Sequence, residues 1–186
     1  HLAADLETLE SFLLDLTGLD WRIAISNMSA SCTIGVDPWI DAEDSLSDST
    51  DAVYSALSMA GTGGTAMFDK ATLLLERTDP GDCLDGFLRS GGLLQIALIT
   101  DQTETSTGSV EEHLENLNAQ LLDEQSLSIS SLSGKGFGSC SNSVRLATAV
   151  EDTNGSHLDL CSDSLANFLS ELSSQAQGEI ENSVSL

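Results

Sequence analysis

The run Leu93–Thr100 (LLQIALIT) constrains this chain more than any other segment. It is apolar apart from Gln95, ends in a polar Thr-Asp step, and is far too short to span a bilayer. Near-continuous apolar runs of this length belong to strands covered on both faces, the situation of a parallel sheet packed between helices. The flanking patterns fit that reading. Residues 3–17 place Leu6, Leu9, Phe12, Leu13 and Leu16 on one helical face, with Gly18 as a stop. Trp21–Ser26 reads as a buried strand, and Cys32–Val36 as a second short one. Helices are predicted over about 51–59, 66–76, 109–122, 143–151 and 162–175, the last capped by Ser162. Weaker strands are predicted at 126–132 and 157–160. Alternating helices and strands imply parallel pairing and right-handed crossovers. The expected fold is therefore α/β, a three-layer, doubly wound, mostly parallel sheet flanked by helices. At 186 residues, the chain fits a single domain over 1–186.

Charge narrows the functions. Asp and Glu number 30 against 6 Lys and Arg, a formal net charge of −24. Nucleic acid is excluded as a partner, because phosphate contacts need clustered cations. Anionic lipid is excluded on the same ground, and no stretch is long enough for membrane insertion. Two readings of the acidity remain open. One is a carboxylate surface that keeps the protein soluble in salt; the other is an affinity for divalent cations.

The 4 cysteines are Cys32, Cys83, Cys140 and Cys161. None is in CxxC spacing, and His1, His113 and His157 do not flank them at zinc-ligand distances. Widely spaced cysteines in even number fit two disulfides formed in an oxidising compartment, with three pairings open; reduced core thiols are the alternative. No catalytic motif stands out. The glycines of GTGGT (61–65) lack the Lys-Ser/Thr of a P-loop, and GKGFG (134–138) lacks dinucleotide spacing. There is no G-x-S-x-G and no Cys/His pairing, so an enzyme is not expected. The sequons at Asn27 and Asn154 are uninformative.

Several segments, taken in order, resemble the von Willebrand factor type A (vWA) domain, and more specifically the cysteine-containing vWA-like domains of bacterial surface and exported proteins. An amphipathic helix leads into WRIAISN. TGGTAMFDKATLLLE resembles the Gly-Gly-Thr loop and the helix after it. GFLRSGGLLQIALITDQTETS resembles the fourth strand with its terminal Asp, and RLATAVEDTNGSHLDLCSDSLANFLSEL the closing helix, strand and helix.

The resemblance implies an extracellular, cell-surface or periplasmic adhesion module. Such a module holds Mg²⁺ or Ca²⁺ at a metal-ion-dependent adhesion site (MIDAS), where a protein partner presents a carboxylate. Thr65 matches the family's loop Thr and Asp101 its strand-end Asp. The family's Asp-x-Ser-x-Ser element is not found here, and the chain begins almost where the first helix is expected. Its first strand is accordingly expected upstream of residue 1, or from a second chain. Asp69, Asp79, Asp82 and Glu104 also lie near these loops and are expected to be solvated. A metal-free structural or assembly domain of a larger surface protein is the alternative function. The expected disulfides are Cys32–Cys83 and Cys140–Cys161, the latter tying the Gly/Ser loop to the start of the last helix.

Overall fold

The structure is a computed structural model that describes residues 6–35, 38–58, 65–134 and 143–184, with side chains through residue 178. Helix α1 (Leu6–Asp15) buries Leu9 and Leu13. Gly18, at φ 90°, turns the chain out of it in a conformation that side chains disfavour. Strand β1 (Arg22–Ile23) pairs antiparallel with β2 (Ile40–Asp41). Helix α2 (Leu46–Ser58) and helix α3 (Met67–Leu75) follow, α3 tightening into a 3-10 turn at Glu76–Thr78. Next come β3 (Leu93–Thr100), α4 (Val110–Asn118), β4 (Ser126–Ser133), α5 (Val144–Asp152), β5 (His157–Asp159) and α6 (Leu165–Val184).

Strands β3, β4 and β5 form a 3-stranded sheet in that order, parallel throughout. Each parallel step needs a crossover, and α4 and α5 provide them. The β3–β4 register runs unbroken from Leu93↔Ser126 to Thr100↔Ser133. The strand predicted at Leu93–Thr100 thus has the predicted bounds, and the molecule is a mixed α/β fold whose parallel sheet is flanked by helices.

Side chains sort onto the two faces of the sheet with the period of a strand. Leu94, Leu98 and Ile129 join Phe68, Ala71, Leu75, Leu117, Leu146 and Val150 in one core, contributed by α3, α4 and α5. Leu132 joins Leu9, Ile40, Val53, Phe168 and Leu172 in a second core, contributed by α1, β2, α2 and α6. The chain returns to β5 through Gly155, where a Cβ would stand 1.8 Å from the Ile129 carbonyl oxygen. Only glycine fits that approach.

The scarce cations act as staples. Arg22 donates to the Gly86 carbonyl and lies over the Trp39 ring, 5.2 Å from its centroid. Arg89 donates to the Asp20 carbonyl at 2.8 Å. Lys70, only 8% exposed, donates to the Ala30 carbonyl. Burial pushes the Lys70 ammonium pKa down, and the Arg77 charge adds to that.

A disulfide joins Cys32 to Cys83, as expected. Cys161 is likewise disulfide-bonded, whereas Cys140 lies outside the described residues. Four local expectations change. Trp21–Ser26 is half-buried, but only Arg22–Ile23 joins a ladder, and Cys32–Gly35 forms no strand, although the Ile34 N–H donates to the Ile25 carbonyl at 2.8 Å. Val36 is outside the described residues. Helix α2 begins at Leu46 instead of near Asp51, because the Ser45 hydroxyl accepts the Asp48 N–H at 3.2 Å and starts the helix early. At the other end of the chain, α6 begins at Leu165, where the Ser164 hydroxyl accepts the Asn167 N–H at 3.1 Å, so Ser162 is not its cap.

Among the described residues β3 pairs with β4 alone, and β1 with β2 alone. Each sheet therefore keeps a strand edge without a ladder partner there. On β3 that edge carries no charge, no proline and no bulge, the usual protections of an edge strand.

Candidate functional site

In a parallel sheet the loops that leave the carboxyl ends of the strands share one edge of the molecule. Asp101, exposed, is the first residue past β3. Thr65 is half-buried and lies two residues before α3. Its hydroxyl is 2.8 Å from the Thr105 hydroxyl, and its carbonyl accepts the Thr105 N–H at 3.0 Å. The loop carrying Thr65 and the loop carrying Asp101 are thus bonded to each other. The resemblance expects these two residues to share a site, and the fold places their loops side by side.

Glu104 departs from expectation. It was expected in solvent with Asp69, Asp79 and Asp82, and those three are exposed. The Glu104 side chain is 0% exposed, which makes it the buried carboxylate among the described residues. Its Oε1 accepts the backbone N–H of Met67 at 3.0 Å, that of Ser106 at 2.9 Å, and the Ser106 hydroxyl. The Phe68 N–H approaches the same oxygen at 3.5 Å. Its Oε2 accepts the Arg145 Nε–H at 2.7 Å. Burial alone would raise the pKa of this carboxyl. The hydrogen bonds from Ser106, Arg145 and Phe68 outweigh burial and hold it below the ordinary 4.5.

The physical reason lies at the start of α3. Its N-cap position is Ala66, which has no side chain to accept the first free amides. Glu104 takes Met67, and the Ser106 hydroxyl takes the Asp69 N–H at 3.1 Å. A carboxylate at a helix N-terminus also meets the positive end of the helix dipole. Arg145, at the start of α5, closes the arrangement by donating to the Gly108 carbonyl at 2.8 Å as well. Its guanidinium lies 5.8 Å from the Phe68 ring centroid, and Phe68 stacks on buried His113 at 5.2 Å. Past Gly108, Ser109 opens α4 with a capping box to Glu112.

A hard cation such as Mg²⁺ or Ca²⁺ takes six or more oxygens. Thr65 and Asp101 offer one hydroxyl and one carboxylate, and no group of three or more His, Cys, Asp or Glu among the described residues could hold a metal. The fit is partial: a cation held by Thr65 and Asp101 would need water and at least one further protein oxygen to fill its shell. Sequence reasoning missed Glu104 because one acid among 30 carries no signal of its own. Its only clue was a helix start at Ala66 with no capping side chain. No protein-family model, curated protein or solved structure matches the chain.

Proposed function

We propose that this chain is a vWA-like binding module, not an enzyme, and that its doubly wound sheet presents a partner site at the carboxyl edge. The observation that carries the reading is the direct bonding of the Thr65 loop to the Thr105 segment, four residues past Asp101. In this reading Thr65 and Asp101 hold Mg²⁺ or Ca²⁺ together with water and a third protein element. A partner protein supplies a carboxylate to the cation, which neutralises its charge. An extracellular, cell-surface or periplasmic setting is supported by the disulfides.

The open edges of β3 and β1 support a further strand, contributed by a segment beyond the described residues or by a second chain. A strand seated against β3 would give that uncharged edge a ladder partner.

One observation favours a metal-free assembly domain instead: the Thr65 hydroxyl already has the Thr105 hydroxyl as partner. Calorimetric titration of the full-length protein with Mg²⁺ and with Ca²⁺ separates the two. Saturable 1:1 binding that Asp101→Ala removes is the expected result. No binding, or binding that Asp101→Ala leaves unchanged, rejects the cation site and leaves the assembly reading.

A further inference from the structure

We propose that Glu104 is the positioning residue of the carboxyl edge, holding the Thr65 and Asp101 loops in place without being a ligand itself. The inference rests on the binding reading above. Between β3 and α4 the chain runs from Asp101 to Ser109 without regular structure, so its shape depends on what it is tied to. Glu104 and Ser106 tie it to the first turn of α3 through Met67 and Asp69. Arg145 ties it to α5 at two points, Glu104 and Gly108. One carboxylate therefore joins three elements that meet at this edge: α3, the β3–α4 loop and α5.

The chemistry favours a fixed role over ligation. Glu104 Oε1 is filled by Met67 and Ser106 and Oε2 by Arg145, and the side chain has no exposed surface from which to reach a cation. A carboxylate satisfied this way holds one geometry, because leaving it would strand a buried charge. Ligands supported by a locked second layer of hydrogen bonds keep their orientation, and loosening that layer weakens binding.

The test combines native-state amide exchange with cation titration on the full-length protein. Glu104→Ala is expected to speed exchange at Met67, Phe68, Asp69 and Ser106 by roughly tenfold or more, with β4 amides near wild type. It is also expected to weaken Mg²⁺ or Ca²⁺ binding by about tenfold or more. Glu104→Gln keeps an oxygen acceptor for Met67, so it restores part of both. Should Glu104→Ala fail to fold, Arg145→Met serves instead: it frees Gly108 and Glu104 Oε2 while leaving the α3 cap, so Met67 exchange should stay near wild type while cation binding weakens by about tenfold, and wild-type cation affinity in Arg145→Met overturns the proposal. In Glu104→Ala, unchanged exchange at Met67 overturns it, as does a uniform rise across β4 and α6, or wild-type cation affinity. If the wild-type protein binds neither cation, the cation reading falls, and localised exchange decides the positioning role by itself.

Discussion

Glu104 accepts the backbone N–H of Met67 at 3.0 Å across 37 residues of sequence, supplying the cap that Ala66 cannot give to α3. Removing that carboxylate leaves Met67 without its acceptor and Arg145 without its counter-ion. Glu104→Ala is expected to cost about 3 kcal/mol in chemical denaturation at neutral pH, the scale for hydrogen bonds to a buried charge. A loss under about 1 kcal/mol would mean that the network adds little.

The same group makes stability depend on acid. Its folded pKa lies below the ordinary 4.5, so the unfolded chain takes up this proton more readily than the folded one. Its contribution is full above that ordinary value and is lost as pH falls through the folded value. The stability gap between wild type and Glu104→Gln should therefore narrow below pH 4.5. A gap that stays constant down to acid unfolding contradicts the assignment.

Gly155 passes so close to β4 that an added Cβ would meet the Ile129 oxygen at 1.8 Å. Backbone cannot yield as a flexible side chain can, so Gly155→Ala should cost about 3 kcal/mol or more, or abolish folding. Gly178, with nothing within 4 Å of an added Cβ, is the control, and Gly178→Ala should be neutral or stabilising, since α6 gains a better helix former.

The Cys32–Cys83 disulfide closes 51 residues. On the chain-entropy estimate a closure of that length contributes about 4 kcal/mol. The double variant Cys32→Ser/Cys83→Ser should lose stability on that scale by denaturant titration, and an equal midpoint would show the bond to be dispensable.

Sequence pattern revealed the elements that carry their own signal. Leu93–Thr100 is apolar enough to be unmistakable, and the helix predicted from Ser109 begins there, with Ser109 as the cap of α4. What it could not reveal depends on partners distant in sequence. Trp21–Ser26 has strand composition, yet only Arg22–Ile23 finds ladder partners, because pairing is settled by neighbours. Thr65 and Asp101 are singled out only by the vWA resemblance, and what the fold adds is that the Thr65 loop bonds to the segment after Asp101. Glu104 was hidden because its role is set by an uncapped helix 37 residues away.

The acidic surface gives another expectation. The described cations Arg22, Lys70, Arg77, Arg89 and Arg145 are all engaged by carbonyls or carboxylates, while most of the acids stay in solvent. Self-repulsion at −24 should relax as salt screens it. Raising NaCl from about 0.05 to 1 M should lift Tm by roughly 5 °C or more, and a falling Tm would contradict a solvated acidic face.

In the proposed function, Thr65 and Asp101 form one cation-holding edge on a protein with 30 Asp and Glu. Paramagnetic Mn²⁺ titrated into the isotope-labelled full-length protein tests it most directly, because relaxation broadening reports where the ion resides. Broadening at low Mn²⁺ is expected to centre on Thr65, Asp101 and Thr105, and Asp101→Ala is expected to abolish it. Broadening spread evenly over the exposed acids, with no focus at these residues, would contradict it.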